Sequence, residues 1–507
     1  MLHTKAAFFI LLTGFSLTLK AQDSLSLFKT INNQYNTERD FKTQFYYNPA
    51  SMSDYSSASF SEFNTGYHDN HEKIYRQQLG SGSKGLTVEA KSFQKLKPNR
   101  YVWGNASYQN LKINSVKWNE TLDYDRVAPY TTADSVGGKV NLERYQFAGG
   151  YLQKMNRWTV AGQVSYAAQL GYRSKDPRMR STTSDLKIIT GLNYRVFRAY
   201  EVGVFGELNK YTQNNSVSFQ SLLGRPYVYQ MSGFGFSNYL FNGGTLPKNT
   251  FEEFAYKGGV QISGKGGQDF YIQASAGRGN NLKSYNDGSN NFFDITDLKS
   301  ENFELEGAKF FTVHEKHRIG LLVNYKAVKN TGSEYGYSLN TVALTQIFKR
   351  ESYRRENYES TIKGFYQYTG NNFSITAIPF FGHEEIKERR LYPDAGQKFV
   401  YSYFGINADV KKQIKDNQVL TFQPYFSKRT VSKSINALTA TANAEVNAWL
   451  LQDFNFQASD ISTYGASLRY DFKLEKLPAF FVSAQYQTQK LQKKNNNFAG
   501  ASIGITF

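Results

Sequence analysis

The sequence predicts an all-β fold, a transmembrane antiparallel β-barrel of about 18 strands, from three observations. Apolar and polar side chains alternate with a period of two in many segments, short turns and long polar segments follow one another, and the chain ends in a strand. The clearest alternating segment is 158–170, where Trp158, Val160 and Val164 share one face. A helix would repeat every 3.6 residues, so this pattern indicates strands.

The connections between these segments alternate in length. Tight turns such as 97–99, 154–156 and 415–417 are rich in Pro, Asn and Asp, which favour chain reversal. The longer polar segments, expected to be extracellular loops, are 66–83, 112–141, 213–251, 280–299, 331–357, 388–397 and 432–460.

Counting the hairpins gives the strand number. Eight hairpins, a first strand near 55–66 and a closing strand 498–507 make 18 strands with both termini on the periplasmic side. The strands near 84–95 and 337–349 are the weakest, so totals of about 14 or about 16 stay open.

The N-terminal region divides in two. Residues 1–21 combine a weakly basic start, the apolar run 6–19 and small Ala21, the layout of a cleaved signal peptide. Residues 22–54 show no strand pattern and are expected to form a periplasmic leader or a small plug in the lumen. The barrel is expected to occupy residues 55–507.

Composition narrows the function classes. There is no Cys among the 507 residues, which excludes disulfides and thiolate metal sites. The 40 Phe and 37 Tyr fit the aromatic girdles of a barrel. The net charge is +18, but Lys and Arg are scattered rather than clustered, so nucleic acid is not expected as a partner. Anionic lipopolysaccharide at the outer-membrane lipid surface, or an anionic solute in the lumen, fits this charge better.

Charged residues on the polar faces of the strands are the candidate lumen lining. Facing lipid at the bilayer midplane, a Lys or Arg would cost about 2–4 kcal/mol, which favours an inward position. Mixed signs on neighbouring strands predict pairs of Lys187 with Glu201 or Glu207, and of Glu304 or Glu306 with Arg318 or Lys326. The full set is Lys187, Arg195, Glu201, Glu207, Glu304, Glu306, Arg318, Lys326, Lys363, Arg469 and Asp471.

The loop 213–251 carries a cluster of aromatic residues that suits either a partner interface or a constriction folded into the lumen. Its members are Tyr227, Tyr229, Phe234, Phe236, Tyr239 and Phe241.

Catalytic and metal chemistry find little support. His383 is the one plausible base, and no Ser is placed beside it, so the chain is not expected to be an enzyme. His68 and His71 fit a solvated loop better than a metal site, and no metal or other cofactor is expected.

Two short motifs carry family resemblances. The terminal strand, with Ile503, Ile505 and Phe507 on one face, resembles the assembly signal of bacterial outer-membrane barrels, which implies the barrel assembly machinery as a partner. The tripeptide Asn48-Pro49-Ala50 resembles the segment before the first strand of FadL-like barrels and of several Bacteroidota barrel families. The chain as a whole resembles an uncharacterised Bacteroidota-type outer-membrane barrel family, porin-like and distantly FadL-like.

Three functions are expected from the lumen charges, the resemblance to FadL-like barrels and the aromatic loop 213–251. The first is an outer-membrane channel or transporter for a small solute, with the N-terminal segment as a candidate gate. The second is FadL-like lateral release of an apolar molecule, with Pro379 or Pro424 marking a kinked strand. The third is an accessory barrel that binds a partner, such as a TonB-linked uptake system or a surface lipoprotein, through its loops.

Overall fold

Eighteen strands of the chain form one antiparallel sheet that closes on itself. The computed structural model describes residues 26–197, 199–221, 225–243, 248–286, 291–338, 344–475 and 477–507. The barrel strands are β1 (Phe60–His71), β2 (Ser83–Lys97), β3 (Arg100–Val116), β5 (Gly138–Met155), β6 (Trp158–Tyr172), β7 (Arg178–Phe197), β8 (Tyr200–Ser218), β11 (Lys248–Gly264), β12 (Phe270–Asn286), β13 (Phe292–Val313), β14 (His317–Tyr337), β15 (Gln346–Thr369), β16 (Phe373–Leu391), β17 (Asp394–Lys415), β18 (Gln418–Ala437), β19 (Ile461–Lys473), β20 (Ala479–Leu491) and β21 (Lys494–Thr506).

The remaining elements lie outside the wall. Three short strands are β4 (Thr132–Asp134), β9 (Val228–Gly233) and β10 (Phe236–Ser237). The helices are α1 (Leu27–Gln34), α2 (Thr37–Phe41), α3 (Tyr124–Val127) and α4 (Ala444–Gln457), with single 3₁₀ turns at Thr43–Tyr47, Pro49–Asp54, Tyr239–Phe241 and Lys265–Gly267. No helix among the described residues is long and apolar enough to cross a membrane.

Closure is made by the first and last strands. β1 pairs antiparallel with β21 from Glu62 opposite Thr506 to His71 opposite Asn497. Phe507 extends this ladder, since its amide donates to the Ser61 carbonyl at 2.9 Å. The predicted closed antiparallel barrel of about 18 strands is confirmed.

The wall has two chemically different faces because successive side chains point to opposite sides of a strand. On β8, Val204 and Leu208 are exposed on the outside by 45% and 53%, while Phe205 between them is buried at 5% and faces inward. Apolar side chains exposed on the outer face recur around the circumference, among them Val164, Val260, Ile272, Leu321 and Val482. This outward apolar belt is the surface that lipid covers in a transmembrane barrel.

Several strands are longer than the sequence indicated. β12 and β13 occupy most of the expected loop 280–299, and Tyr392-Pro393 alone joins β16 to β17 within the expected loop 388–397. Both predictions were wrong, as was the placement of the first strand at 55–66, which begins at Phe60 and runs to His71. At these strand ends polar and apolar side chains are mixed on both faces, so the ladder continues although the alternation has vanished.

The two weakest predicted strands have different outcomes. The segment 84–95 lies within β2. Of the segment 337–349, Tyr337 ends β14 and Gln346 begins β15, while 339–343 falls outside the described residues.

Pro379 and Pro424 interrupt pairing only locally. The β15–β16 register passes from Lys363 opposite Phe380 to Tyr366 opposite Ala377. The β17–β18 register has a similar break opposite Pro424. Both ladders resume on either side of the proline, so the wall stays continuous there.

Residues 26–54, called the N-terminal segment below, pack against inward-facing wall residues near the end of the barrel where β1 begins and β21 ends. Phe41 contacts Phe310 and Phe365, and Phe45 contacts Tyr271. Leu27, Phe28 and Ile31 pack in one cluster with Val419 and Ala479 on another part of the wall. Ala50 and Met52 join a third cluster with one inward residue from each of β1, β2, β3, β5 and β6, which are Phe60, Phe93, Tyr101, Leu152 and Ala161.

The opposite end of the lumen is covered by residues 117–137, 225–243 and 438–460, called the cap below. Strands β4, β9 and β10 form a small sheet within it, and α4 packs on that sheet. The Trp118 and Trp449 rings stack with centroids 5.2 Å apart. Arg173 of the barrel forms ion pairs with Glu120 and Asp134 of the cap, and all three side chains are at most 1% exposed.

We expect Phe507→Asp to lower the amount of folded barrel in the membrane fraction severalfold. The Phe507 side chain is 44% exposed on the outer face of the closing strand, where a carboxylate would oppose contact with lipid. The readout is the heat-modifiable gel mobility of the barrel. Phe507→Tyr keeps the ring and is expected to assemble normally, whereas normal assembly of the Asp variant would contradict the assembly-signal hypothesis.

Candidate functional site in the lumen

The N-terminal segment is bound to the wall by a buried charge cluster. The Arg318 guanidinium donates to both Glu38 carboxylate oxygens, at 2.6 and 3.0 Å, and Lys42 Nζ lies 3.1 Å from the same carboxylate. Burial raises the pKa of Glu38, but hydrogen bonds and charge from Arg318 and Lys42 outweigh it and hold that pKa below 4.5. Burial also lowers the pKa of Lys42, although Glu38 opposes this.

A second contact depends on wall glycines. Asn48 Nδ2 donates to Asn193 Oδ1 at 2.7 Å, and Asn48 Oδ1 accepts from the Ala50 amide at 3.0 Å. A Cβ on Gly191 would lie 2.1 Å from Asn48 Oδ1, and one on Gly203 would lie 2.7 Å from Asn48 Nδ2. The turn at Asn48 therefore approaches the wall backbone so closely that only glycine fits at these two positions.

A third contact joins the segment to the region of barrel closure. Arg469 forms an ion pair with Asp471 at 2.7 Å and with Glu62 at 3.2 Å, and its guanidinium lies 4.3 Å from the Tyr35 ring centroid. Gln34 donates to Glu62 at 3.1 Å. Charges of β1 and β19 are therefore satisfied jointly with side chains of α1 and its C-cap.

The cap is held by inward charges at the other end of the lumen. Arg126 pairs with Glu253 at 2.9 Å and Asp185 at 3.0 Å, and its guanidinium lies 4.0 Å from the Tyr211 ring centroid. The fully buried Lys283 donates to the Thr131 carbonyl at 3.0 Å.

The N-terminal segment and the cap nearly meet on one side of the barrel and are separated on the other. On β8, Glu207 accepts from Tyr47 of the segment and the next inward residue, Asn209, accepts from Arg126 of the cap. On β14, Leu322 packs against the segment, whereas the space above Gly332 is filled by Tyr130 of the cap.

Between these two levels lie the inward residues Lys326, Val328 and Asn330 of β14. Within the described residues, they form no hydrogen bond, ion pair or ring contact with the N-terminal segment or the cap. They border a pocket of about 140 Å³ whose lining is completed by Arg355, Asn357 and Glu359 of β15. A second pocket of about 380 Å³ lies under the cap and is lined by Leu79, Asp123, Tyr124, Asp125, Arg126, Arg144, Ala167, Gln169 and Asp185.

The eleven predicted lumen residues all lie on the inward side of their strands, but their pairing differs in part from the expectation. Lys187 lies 3.7 Å from Glu207, and Arg195 lies 3.6 Å from Glu201. Arg469 pairs with Asp471. The side of each strand follows from the registers and the exposed apolar neighbours.

The expected pairing of Glu304 or Glu306 with Arg318 or Lys326 was wrong. Glu304 pairs with Lys257 at 3.6 Å, Glu306 accepts from the Tyr271 hydroxyl at 2.5 Å, and Arg318 pairs with Glu38. Lys326 and Lys363 have no ion-pair partner in the described part of the chain. Wall residues such as Arg318 form ion pairs with the N-terminal segment, and the alternation along a strand does not reveal such partners. Lys257 lies on the inward side of β11, so the sequence could have identified it as a partner of Glu304.

The six loop aromatics are divided between the interior of the cap and its surface. Phe234 and Phe241 are buried at 8% and 3%, Phe236 lies 5.5 Å below the Arg390 guanidinium, and Tyr229 packs near Trp118. Tyr227 and Tyr239 are 50% and 78% exposed.

Histidine and carboxylate side chains do not gather into a metal site in the described ranges, where no group of three or more could hold an ion.

We expect Gly191→Ala to release the N-terminal segment from the wall. The added Cβ overlaps Asn48, and such overpacking costs about 1–3 kcal/mol, which lowers the ratio of docked to released segment by about fivefold or more. Because the chain has no Cys, a single Ser51→Cys, buried at 1% in the docked state, reports release through its rate of maleimide labelling. Gly206→Ala is the matched control, since its Cβ would meet no atom closer than 3.9 Å. Equal labelling rates in the two variants would contradict this contact.

We expect acid to loosen the N-terminal segment through Glu38. Because docking lowers the Glu38 pKa below 4.5, its stabilisation is complete above that pH and is lost as pH falls through the lowered value. A nitroxide at the exposed position Lys29→Cys should become more mobile below pH 4.5. Glu38→Gln should remove most of this pH dependence. If the nitroxide is no more mobile in acid in the protein that keeps Glu38, the proposed role of Glu38 in holding the segment is contradicted.

Similar solved structures are distant. The ferric preacinetobactin receptor BauA from Acinetobacter baumannii is 9% identical with a TM-score of 0.38, covering 89% of this chain and 80% of the receptor. A mutant of the ferric enterobactin receptor PfeA from Pseudomonas aeruginosa is 10% identical with a TM-score of 0.38, covering 88% and 80%. The copper transporter OprC is 7% identical with a TM-score of 0.40, covering 89% and 81%. At these values no activity is transferred to this chain.

Sequence comparison identifies the family. No curated protein gives a significant match to the chain. The FadL-like resemblance and the Bacteroidota-type origin stay predictions. Residues 49–507 match a family described as a family of unknown function, DUF6850. Since this match covers nearly the whole chain, the protein belongs to the DUF6850 family.

Proposed function

We propose that this protein is an outer-membrane transporter for a small polar solute, gated at its periplasmic end by the N-terminal segment. The cap would restrict the extracellular end, and the polar space between them would hold the solute in transit. A barrel of this strand number has an interior wide enough for an aqueous path unless something fills it.

The observation that carries this proposal is the way the N-terminal segment contacts the wall all round the lumen. Its side chains reach Asn193 of β7, Phe310 of β13 and Val419 of β18, and a further cluster joins it to β1, β2, β3, β5 and β6. A segment that only trailed into the periplasm would contact one edge of the barrel at most. Contacts on every side support its role as a plug.

The outward apolar belt supports an outer-membrane location, with lipid and lipopolysaccharide as its surroundings. A cleaved signal peptide at 1–21 lies outside the described residues and is part of this proposal, as is insertion by the barrel assembly machinery. A TonB-linked partner that displaces the segment is also proposed, because three apolar clusters and an ion-pair cluster hold the segment in place and work would be needed to move it.

A second candidate is an accessory barrel that binds a surface lipoprotein or an uptake partner. Tyr227, Tyr239 and Leu451 favour it, because these large cap side chains are at least half exposed. Exposed aromatic side chains are enriched at protein interfaces. The inward packing of Phe234 and Phe241 favours the restricted transporter instead.

The test is single-channel recording in planar bilayers of the intact protein, a variant lacking residues 26–54, and the double variant Asn48→Cys/Asn193→Cys. We expect rare openings of the intact protein, steady current after deletion, and no current from the oxidised double variant until a reductant is added. The native chain has no Cys, so the introduced pair forms the one possible disulfide. A deletion variant that folds but passes no current would contradict gating and favour the accessory barrel.

A further inference from the structure

Two cations at the β14–β15 pocket lack the partners that most inward charges have. Elsewhere on the wall, Lys257 pairs with Glu304 and Lys411 with Asp409. Lys326 and Arg355, which line the pocket of about 140 Å³, have no ion pair or hydrogen bond with any described residue. A cation in a partly closed lumen without a counter-ion attracts an anion from solution.

The hydrogen-bond acceptors that line the pocket also have few donors among the described residues. Glu359 lies opposite Lys326 in the strand register, accepts from the Tyr403 hydroxyl at 2.6 Å, and accepts no other hydrogen bond from a described residue. Asn357 donates to Glu384 at 3.0 Å, but its amide oxygen and that of Asn330 accept no hydrogen bond although both atoms are shielded. Polar atoms left in this state are costly, and a ligand with hydroxyl donors would satisfy them.

We propose that Lys326, Asn330, Arg355, Asn357 and Glu359 form a binding site for a small hydroxylated anion, with its carboxylate or phosphate on the two cations and its hydroxyls on the amide and carboxylate oxygens. This inference specifies the class of solute that the transporter carries, and it therefore rests on the proposed function. A guanidinium binds either oxyanion through paired N–H donors, while an ammonium acts as a point charge.

The position of the site suits a solute in transit. Lys326 and Asn330 lie on β14 above the level packed by the N-terminal segment and below the level packed by the cap. Nearby carboxylates are already engaged, Glu384 by Asn357 and Glu304 by Lys257 and Asn324. An anion on Lys326 and Arg355 therefore meets Glu359 and Glu384, two carboxylates that accept hydrogen bonds but form no ion pair with a described residue, and each can also accept from a hydroxyl.

The test is isothermal titration calorimetry of the full-length protein in detergent with four sugars of similar size and different charge. Glucuronate carries a carboxylate, glucose 6-phosphate a phosphate, glucosamine an ammonium group, and glucose no charge. We expect saturable binding of glucuronate or glucose 6-phosphate, about tenfold or more tighter than glucose, and no saturable binding of glucosamine. Which anion binds more tightly distinguishes a carboxylate from a phosphate ligand.

Substitutions of the two pocket cations test whether the anion binds in the pocket. Lys326→Gln and Arg355→Gln should each weaken anion binding about tenfold. Lys329→Gln and Arg354→Gln are matched controls, because these residues lie on the outer side of the same two strands, and they should bind as the unsubstituted protein does. Heat-modifiable mobility shows that each variant is folded.

The outcomes separate the site from the gate. No saturable anion binding, preference for glucosamine, or equal loss in the inward and outward variants would each overturn the site. Steady current through the variant lacking residues 26–54, together with any of these results, would overturn the site and leave the transporter standing. Anion binding that requires Lys326 and Arg355 in a protein that never conducts would keep the site and overturn transport.

Discussion

The hydrogen-bond ladder between β1 and β21 is the constraint on which the rest of the structure depends. In a bilayer no water satisfies a backbone amide or carbonyl group, so an open sheet edge would leave a row of unpaired groups in hydrocarbon. Pairing of the first and last strands removes that edge. It also defines an inside and an outside, after which every second side chain must suit lipid and every other one the lumen.

An interior of this width needs to be filled or hydrated, and the chain does both. Residues 26–54 pack into one end and three loops into the other, with small apolar clusters where they contact the wall and ion pairs between those clusters. Arg173 with Glu120 and Asp134 shows how the cap is made rigid, since removing one partner from such a buried cluster leaves an uncompensated charge. The N-terminal segment is instead held by several smaller clusters, each with its own contacts to the wall.

Charge pairing gives the lumen its selectivity in the proposed transport. Where neighbouring strands carry opposite charges, as at Lys187 and Glu207, little net field remains along the path. Lys326 and Arg355 form no ion pair with a described residue, although carboxylates lie on the neighbouring strands, and they lie where the segment and the cap leave the wall uncovered. The gap between the N-terminal segment and the cap therefore creates the pocket on β14 and β15, and it also leaves Lys326 and Arg355 accessible to a solute.

The sequence by itself determined the barrel, its approximate strand number and the inward side of its charged residues, because period-two alternation is a local property that each strand displays alone. It failed at the outer strand ends, where β12 and β13 mix polar and apolar side chains on both faces and only the ladder to a neighbouring strand shows that they are strands. The partners of Arg318 and Glu304, the close approach of Asn48 to Gly191, and the unpaired state of Lys326 were decided by the tertiary structure alone. Each depends on which segments fill the lumen and at what height, and that is settled by packing between residues far apart in the chain.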